Sequence, residues 1–276
     1  MQGTQLDRLL AYRFDPVDHV YTARDTILYA LGCGAGAGDL DLVYEPRLHA
    51  LPTMATVLAY PGDWYARPDV PIDPQYVVHG SERIELTCDL PTAAHVQATN
   101  RIVGVQDKGP GRGALVISRR EIVDAGTGAR LATVIQRAFC RGDGGLGSMG
   151  EAPPAPATIP DRPADQVLQV ETSARAAAIY RLMGDWNPLH IDPDFARRAG
   201  FAAPILHGLS TYGHAARAIL GARPGARLRL MDCRFSAPVT PGDTLEVQVW
   251  DSADGCRFRM FGNGRTVIDN GEMTLV

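Results

Sequence analysis

Asp185, Asn187 and His190 fall within six residues in the run Tyr180-Arg-Leu-Met-Gly-Asp-Trp-Asn-Pro-Leu-His190-Ile-Asp-Pro193, gathered around a proline. A carboxylate, an amide and an imidazole at that spacing can converge on one water molecule. Further along, Pro204-Ile-Leu-His-Gly-Leu209 puts a glycine at the head of an apolar stretch, so the N–H of Gly208 can face the same point as a backbone donor. A carboxylate and an imidazole that move protons, opposite an aimed amide, are the parts of an acid/base site with an oxyanion hole.

Positioning those groups requires a sizeable scaffold, and 276 residues suffice for one large domain or two of ordinary size. The chain is 45% hydrophobic and 21% charged with a net charge of −4, which gives no reason to expect nucleic acid as a partner. Five cysteines, Cys33, Cys88, Cys140, Cys233 and Cys256, stand far apart with no Cys-x-x-Cys pair, against both a disulfide framework and a zinc site. A reducing cytoplasm is the expected setting. The N-terminus lacks an apolar signal core, and the apolar stretch 201–222 carries His207, His214 and Arg217, so it is expected to be a buried helix and no membrane is expected as a partner.

The sharpest break in composition runs from 141 to 163, glycine-rich and then proline-rich, the pattern of a linker that stiffens along its length. It yields a first unit over 1–141, a linker over 142–163 and a second unit over 164–276. Each unit repeats one order, helices followed by strands. In the first, 24–32 and the apolar 52–60 read as helices, and 76–90, 94–107, 113–124 and 130–140 as strands of an antiparallel meander. In the second, a strand at 166–170 precedes a helix over 172–183 capped by Thr172 or Ser173, a short helix over 193–199 stopped by Gly200, and the helix at 206–220. Strands over 226–235, 244–251, 256–263 and 266–275 complete an α+β arrangement, twice over.

Gly184-Asp-Trp-Asn-Pro-Leu-His190 followed by Pro204-Ile-Leu-His-Gly-Leu-Ser-Thr-Tyr-Gly213 resembles the signature of MaoC-like dehydratases and type 2, R-specific enoyl-CoA hydratases. The first unit resembles the N-terminal part of the two-hotdog hydratase of peroxisomal multifunctional enzymes and bacterial relatives, through Tyr29-Ala-Leu-Gly-Cys-Gly34, Leu51-Pro-Thr-Met54, Val78-His-Gly80, Asp107-Lys-Gly109 and Arg141-Gly-Asp-Gly-Gly145. The resemblance implies a double hotdog, with antiparallel sheet wrapped around a central helix at 206–220 and another at about 52–60. It implies reversible hydration of trans-2-enoyl-CoA to (3R)-3-hydroxyacyl-CoA without metal or other cofactor. Only the second unit carries the motif; the first is expected to make room for the acyl chain and to lend groups to CoA.

Adding water across C2=C3 needs a proton removed from water at C3 and one delivered to C2, and a close carboxylate–imidazole pair can share both tasks. Asp185 and His190 are therefore expected to bind and deprotonate the water, Asn187 to orient it, and the N–H of Gly208 to meet the thioester oxygen; which of the pair protonates C2 stays open. An isolated Asp-x-Asn-Pro would be read as a turn, and Gly208 as a close-packing residue; the full motif favours chemistry. Trp186, Pro188 and Leu189 belong to the same expected ligand surface, as do His79, Gly80 and Lys108, the lysine offering a charge to a phosphate. Phe235 is expected against the ligand or in the core, and His207 in a structural or ligand-shaping role. Histidines 190, 207 and 214 have no i, i+4 partner, so no metal is expected. Met183, Ser81-Glu82 and Leu146 depart from the family pattern, bearing on substrate preference more than on reaction type. A homodimer standing alone as an enzyme, of bacterial composition, is the expected assembly. The rival readings are a dehydratase for a branched, polyketide or steroid side-chain thioester and a noncatalytic acyl-CoA-binding partner.

Overall fold

Runs of alternating apolar residues, broken by glycine and proline, set the strand lengths. In the computed structural model, which describes residues 4–276, these strands form one continuous antiparallel sheet. The first half contains α1 (Gln5–Ala11), β1 (Val17–Tyr21), α2 (Ala23–Gly32), α3 (Leu40–Val43), β2 (Val77–Leu86), β3 (Ala94–Asp107), β4 (Ala114–Asp124) and β5 (Arg130–Cys140). After a short β6 (Met149–Gly150) come β7 (Gln166–Glu171), α4 (Ala176–Tyr180), α5 (Pro193–Arg198), α6 (Gly208–Gly221), β8 (Leu228–Phe235), β9 (Thr244–Ser252), β10 (Gly255–Gly262) and β11 (Arg265–Leu275).

The strand order is β1-β3-β4-β5-β2 in the first half and β7-β9-β10-β11-β8 in the second, the same path twice. Neither is a plain meander, because the second strand of each half crosses to pair with the fifth. The α+β double hotdog is therefore present, with its two sheets fused edge to edge: β2 pairs with β8 from Ser81↔Arg234 to Glu85↔Leu230. An ionic seam covers this join. Arg137 on β5 reaches both oxygens of Asp232 on β8 at 3.0 and 3.1 Å, and Arg83 on β2 lies 3.4 Å from the same carboxylate. A bidentate, part-buried arginine of this kind fixes register as well as adding stability.

The two halves differ in what their sheets enclose. In the second half α6 is a fourteen-residue helix with Ser210 through Ala216 and Ile219 buried, so it runs through the interior. Its polar side chains bond along the helix, Thr211 Oγ1 donating to the carbonyl of His207 and His214 Nδ1 to that of Ser210. In the first half the expected helix over 52–60 is replaced by a 3-10 turn, Pro52–Thr56. The cause is competition for backbone partners. Arg120 donates through Nη2 to the carbonyls of Ala55 and Thr56, the acceptors an α-helix would offer to Ala59 and Tyr60. The N–H of Ala59 turns instead to His19 Nδ1 at 2.9 Å, with φ at +47°.

Other expectations shift in detail. The helix expected over 172–183 is only α4 followed by a 3-10 turn, Arg181–Met183. Thr172 is no cap, since its hydroxyl donates to the carbonyl of Asp243. Segment 142–163 is tied down along its length rather than free: β6 pairs with Gly104 and Val105, Asp107 accepts the N–H groups of Gly145 and Gly147, and Asn270 donates to the carbonyl of Ala157. Helix α1 and strand β1 lie where no element was expected. Among the described residues, no helix is long and apolar enough to cross a membrane.

Candidate active site

The motif segment is a chain of side chain-to-backbone turns, each prepared by the residue before it. The 3-10 turn after α4 ends on Gly184 at φ +106°, a conformation that penalises side chains, and this reversal presents Asp185. Asp185 Oδ1 accepts the N–H of Asn187 at 3.2 Å, and Asn187 Oδ1 accepts that of Leu189 at 3.0 Å. Pro188 opens the next 3-10 turn, Pro188–His190, with its φ already set. Asn187 is exposed and caps this turn, so it acts on His190 through the backbone.

His190 is 9% exposed. Its Nδ1 lies 2.9 Å from the carbonyl of Ile205, which can only accept, so Nδ1 carries the proton and Nε2 is the free basic nitrogen. Burial holds the imidazole below its ordinary pKa, with Asp185 and the Ile205 carbonyl pulling the other way. His207, the residue before α6, stacks on His190 with ring centroids 3.7 Å apart and rings inclined by 27°. Burial, aided by His190, drives His207 down to about 4, so it is neutral near pH 7. The buried ring of Tyr180 backs it at 4.9 Å.

Asp185, His190 and His207 bring one ligand-capable atom each within 4.8 Å of one another, a grouping the sequence did not suggest. A metal ion needs ligand lone pairs that lie in the ring planes and converge on it. Two imidazoles stacked at 27° hold theirs in nearly parallel planes, and His214 lies elsewhere, against Ser210.

Gly208 is the first residue of α6, whose opening N–H groups have no helical acceptor. The ring of Phe235, at the end of β8, lies against it, and the ring of His79 meets Phe235 edge-on at 4.8 Å. His79 and Glu82 would face opposite sides of a regular strand. A bulge at Gly80 restores them to one side, where His79 Nε2 lies 2.9 Å from Glu82 Oε2. Gly80 is required there because a Cβ would stand 2.8 Å from the carbonyl oxygen of Arg137.

Asp185, His79, Met183, Tyr180 and Tyr60 line a cleft of about 380 Å³, its open mouth included. Adjoining it, and sharing Thr56, Tyr60, Gln136 and Leu209, lies a second space of about 370 Å³, its open mouth likewise included, lined mostly by the first half. Of the expected ligand residues, Asp185, His190, Gly208, His79 and Phe235 thus gather where the halves meet. Trp186 is 56% exposed with the Arg181 guanidinium 4.6 Å from its ring centre. Lys108 is exposed on the β3–β4 loop, its Nζ donating to Gln106, and lines neither space.

Tyr180, Tyr60 and Arg120 were not singled out from the sequence, and Glu82 only as part of a departure from the family pattern. Tyr180 opens the motif run and Tyr60 ends an apolar one. Arg120 had a legible signal: it occupies an inward position in the alternation Val116, Ser118, Arg120, Ile122.

A model of the "MaoC like domain" matches residues 156–270, and one of the "MFE-2 hydratase 2 N-terminal domain" matches 19–142. The 3-hydroxyacyl-thioester dehydratase Y of Mycobacterium tuberculosis is 39% identical over 95% of both chains. This chain belongs to the MaoC-like, hydratase 2 family. The mouse peroxisomal multifunctional enzyme type 2 is 36% identical over 93% of this chain and 36% of its own length. Among solved structures, a MaoC-like dehydratase from Phytophthora capsici superposes with a TM-score of 0.89 over 98% of both chains at 29% identity. The family resemblance thus spans both halves, while the acidic and imidazole groups of the motif stand only in the second.

Proposed function

We propose that this MaoC-like protein is a hydro-lyase that reversibly hydrates trans-2-enoyl-CoA to (3R)-3-hydroxyacyl-CoA. The observation that carries the reading is the placement of a neutral His190, with Nε2 free, beside Asp185 and stacked on His207, the residue that leads into α6. Water held between the two side chains adds through oxygen to C3. The C2=C3 electron pair moves toward the thioester carbonyl, whose growing negative charge meets the N–H of Gly208. The proton taken from water is returned by the pair to C2 on the same face, so the protein ends as it began.

Asn187 serves by shaping the turn that carries His190, and His207, stacked against it, keeps the imidazole oriented. Leu189 and Pro188 belong to that turn. The acyl group passes from the cleft into the first half, with His79 and Phe235 at the crossing; Gly80 serves by making the bulge that turns His79 inward, and Lys108 and Trp186 serve CoA at the surface. No metal takes part in this scheme, which the near-parallel ring planes of His190 and His207 favour, and no other cofactor is invoked. A reducing compartment, the cytoplasm, suits five free cysteines. A homodimer is part of the reading, and light scattering in solution tests it.

A relative named 3-hydroxyacyl-thioester dehydratase Y supports a second reading in which dehydration is the working reaction. The same groups run both directions. Hydration of crotonyl-CoA, with chiral analysis of the product and a parallel assay after chelation, tests the proposal. Turnover to the 3R product, undiminished by chelator, is expected; binding of CoA thioesters without turnover of any would overturn it in favour of a noncatalytic partner.

A further inference from the structure

The interior of the first half-sheet is crossed by a band of polar side chains where the second half is apolar. Asn100 stands opposite Arg120 on β3 and β4, and in the next row Ser118, Gln136 and Glu82 stand side by side on β4, β5 and β2. All five line the inner space, together with Tyr60. The band splits the apolar core: Val96, Ala98, Ile122, Ala132 and Ile84 belong to one cluster, whereas Ile102, Val105, Ala114, Val116 and Ala138 belong to another.

The band is only partly satisfied from within. Gln136 Oε1 accepts from Tyr65 at 3.2 Å, and Glu82 faces His79. Arg120 is 6% exposed and has no carboxylate within ion-pair distance among the described residues. Its Nη2 is taken by two backbone carbonyls, its Nε is unpartnered, and Nδ2 of Asn100 across the strand pair is unpartnered too. A buried guanidinium and a buried amide with donors to spare are costly unless something accepts from them. This space adjoins the cleft of Asp185 through Thr56, Tyr60, Gln136 and Leu209, so a molecule reacting at that cleft can extend its far end into it.

We infer that the polar band is a specificity subsite for an acyl group carrying a hydrogen-bond-accepting oxygen at its far end. This rests on the hydratase reading and adds the substrate class. The shared chemistry is an oxygen acceptor, supplied either as a terminal carboxylate or as a neutral hydroxyl or keto group. An unsubstituted chain would leave the donors of Arg120 and Asn100 unmet and bury methylenes against them.

Steady-state hydration of matched trans-2-enoyl-CoA thioesters tests this, each chain length being offered unsubstituted, with a terminal carboxylate and with a terminal hydroxyl. Crotonyl-CoA, too short to reach the band, reports on the reacting groups alone. The expected result is a kcat/KM at least about tenfold higher for one of the oxygen-bearing forms than for the unsubstituted chain. Preference for the carboxylate over the hydroxyl identifies an anionic acyl group, and the reverse a neutral one. In Arg120→Met the ratio should fall toward one; because it is taken within one preparation, partial loss of folded protein cancels. If that variant does not fold, Ser118→Val, which removes a smaller member of the band, should lower the same ratio. Turnover of crotonyl-CoA with equal or better use of unsubstituted chains would overturn the subsite while leaving the hydratase reading standing. Failure to turn over any thioester would overturn both.

Discussion

The two halves follow one strand path but enclose different things. The inward positions of the second half hold Met231, Val247, Phe258, Met260 and Ile268 around a full helix, α6. The corresponding space of the first half holds a 3-10 turn and a polar band lining one open space, which adjoins the cleft between the halves. A helix through the core gives a rigid N-terminus at which Gly208 can be aimed, and a core without one gives room. A duplicated fold can thus divide labour: in the proposed function, reacting groups stand on the half with the helix and recognition on the half without it.

The largest test of that division is removal of the imidazole. His190→Ala should lower turnover by about 10²–10⁴ while circular dichroism and the melting profile show a folded protein, the range for losing a general acid/base. A loss under about threefold would mean that the second half does not hold the chemistry.

Acid should weaken the protein through histidines buried around α6. His214 is held down to about 4 from an ordinary 6.5, chiefly by burial, with Arg217 adding to the effect and the Ser210 carbonyl opposing it. The unfolded chain therefore binds more protons between those values, so this stability is complete above pH 6.5 and is lost as pH falls toward 4. It amounts to up to about 3 kcal/mol. Urea unfolding across that window checks it, and a flat profile would remove His214 from the account.

Packing separates the halves more gently. A Cβ at Gly213 on α6 would stand 2.2 Å from Cys33 Sγ, so Gly213→Ala should cost about 1–3 kcal/mol. Ser118→Ala, beside open space in the first half, should cost no more than about 0.5 kcal/mol. Equal losses on thermal unfolding would contradict the contrast.

The smallest effect belongs at the surface. Lys108→Ala should raise KM by a few-fold, more than it lowers kcat, as for a group that binds ground and transition states alike. An unchanged KM would take Lys108 off the ligand surface.

Much of this was legible in the sequence. Alternating Val, Ile and Thr marked most of the strands, and Gly184 through His190 with Gly208 marked the candidate site, because these depend on local periodicity and on neighbours in the chain. The apolar 52–60 read as a helix because its composition allows one. What undid it was Arg120, more than sixty residues away, capturing two of its carbonyls. The pairing of His79 with Glu82 depended on a bulge, and the stacking of His207 on His190 on where α6 enters the core. Both are consequences of long-range packing, although the inward arginine among Val116, Ser118 and Ile122 was already a local inconsistency in an otherwise apolar pattern.

The central claim, that water is activated in the second half by Asp185 with His190, is tested most directly by crotonyl-CoA hydration in Asp185→Asn, followed by loss of the conjugated enoyl-thioester absorbance. The isosteric amide keeps the turn to the N–H of Asn187 while removing the carboxylate. The account predicts turnover reduced by about 10²–10⁴ in a protein that still melts like the parent. A rate near that of the parent would contradict it.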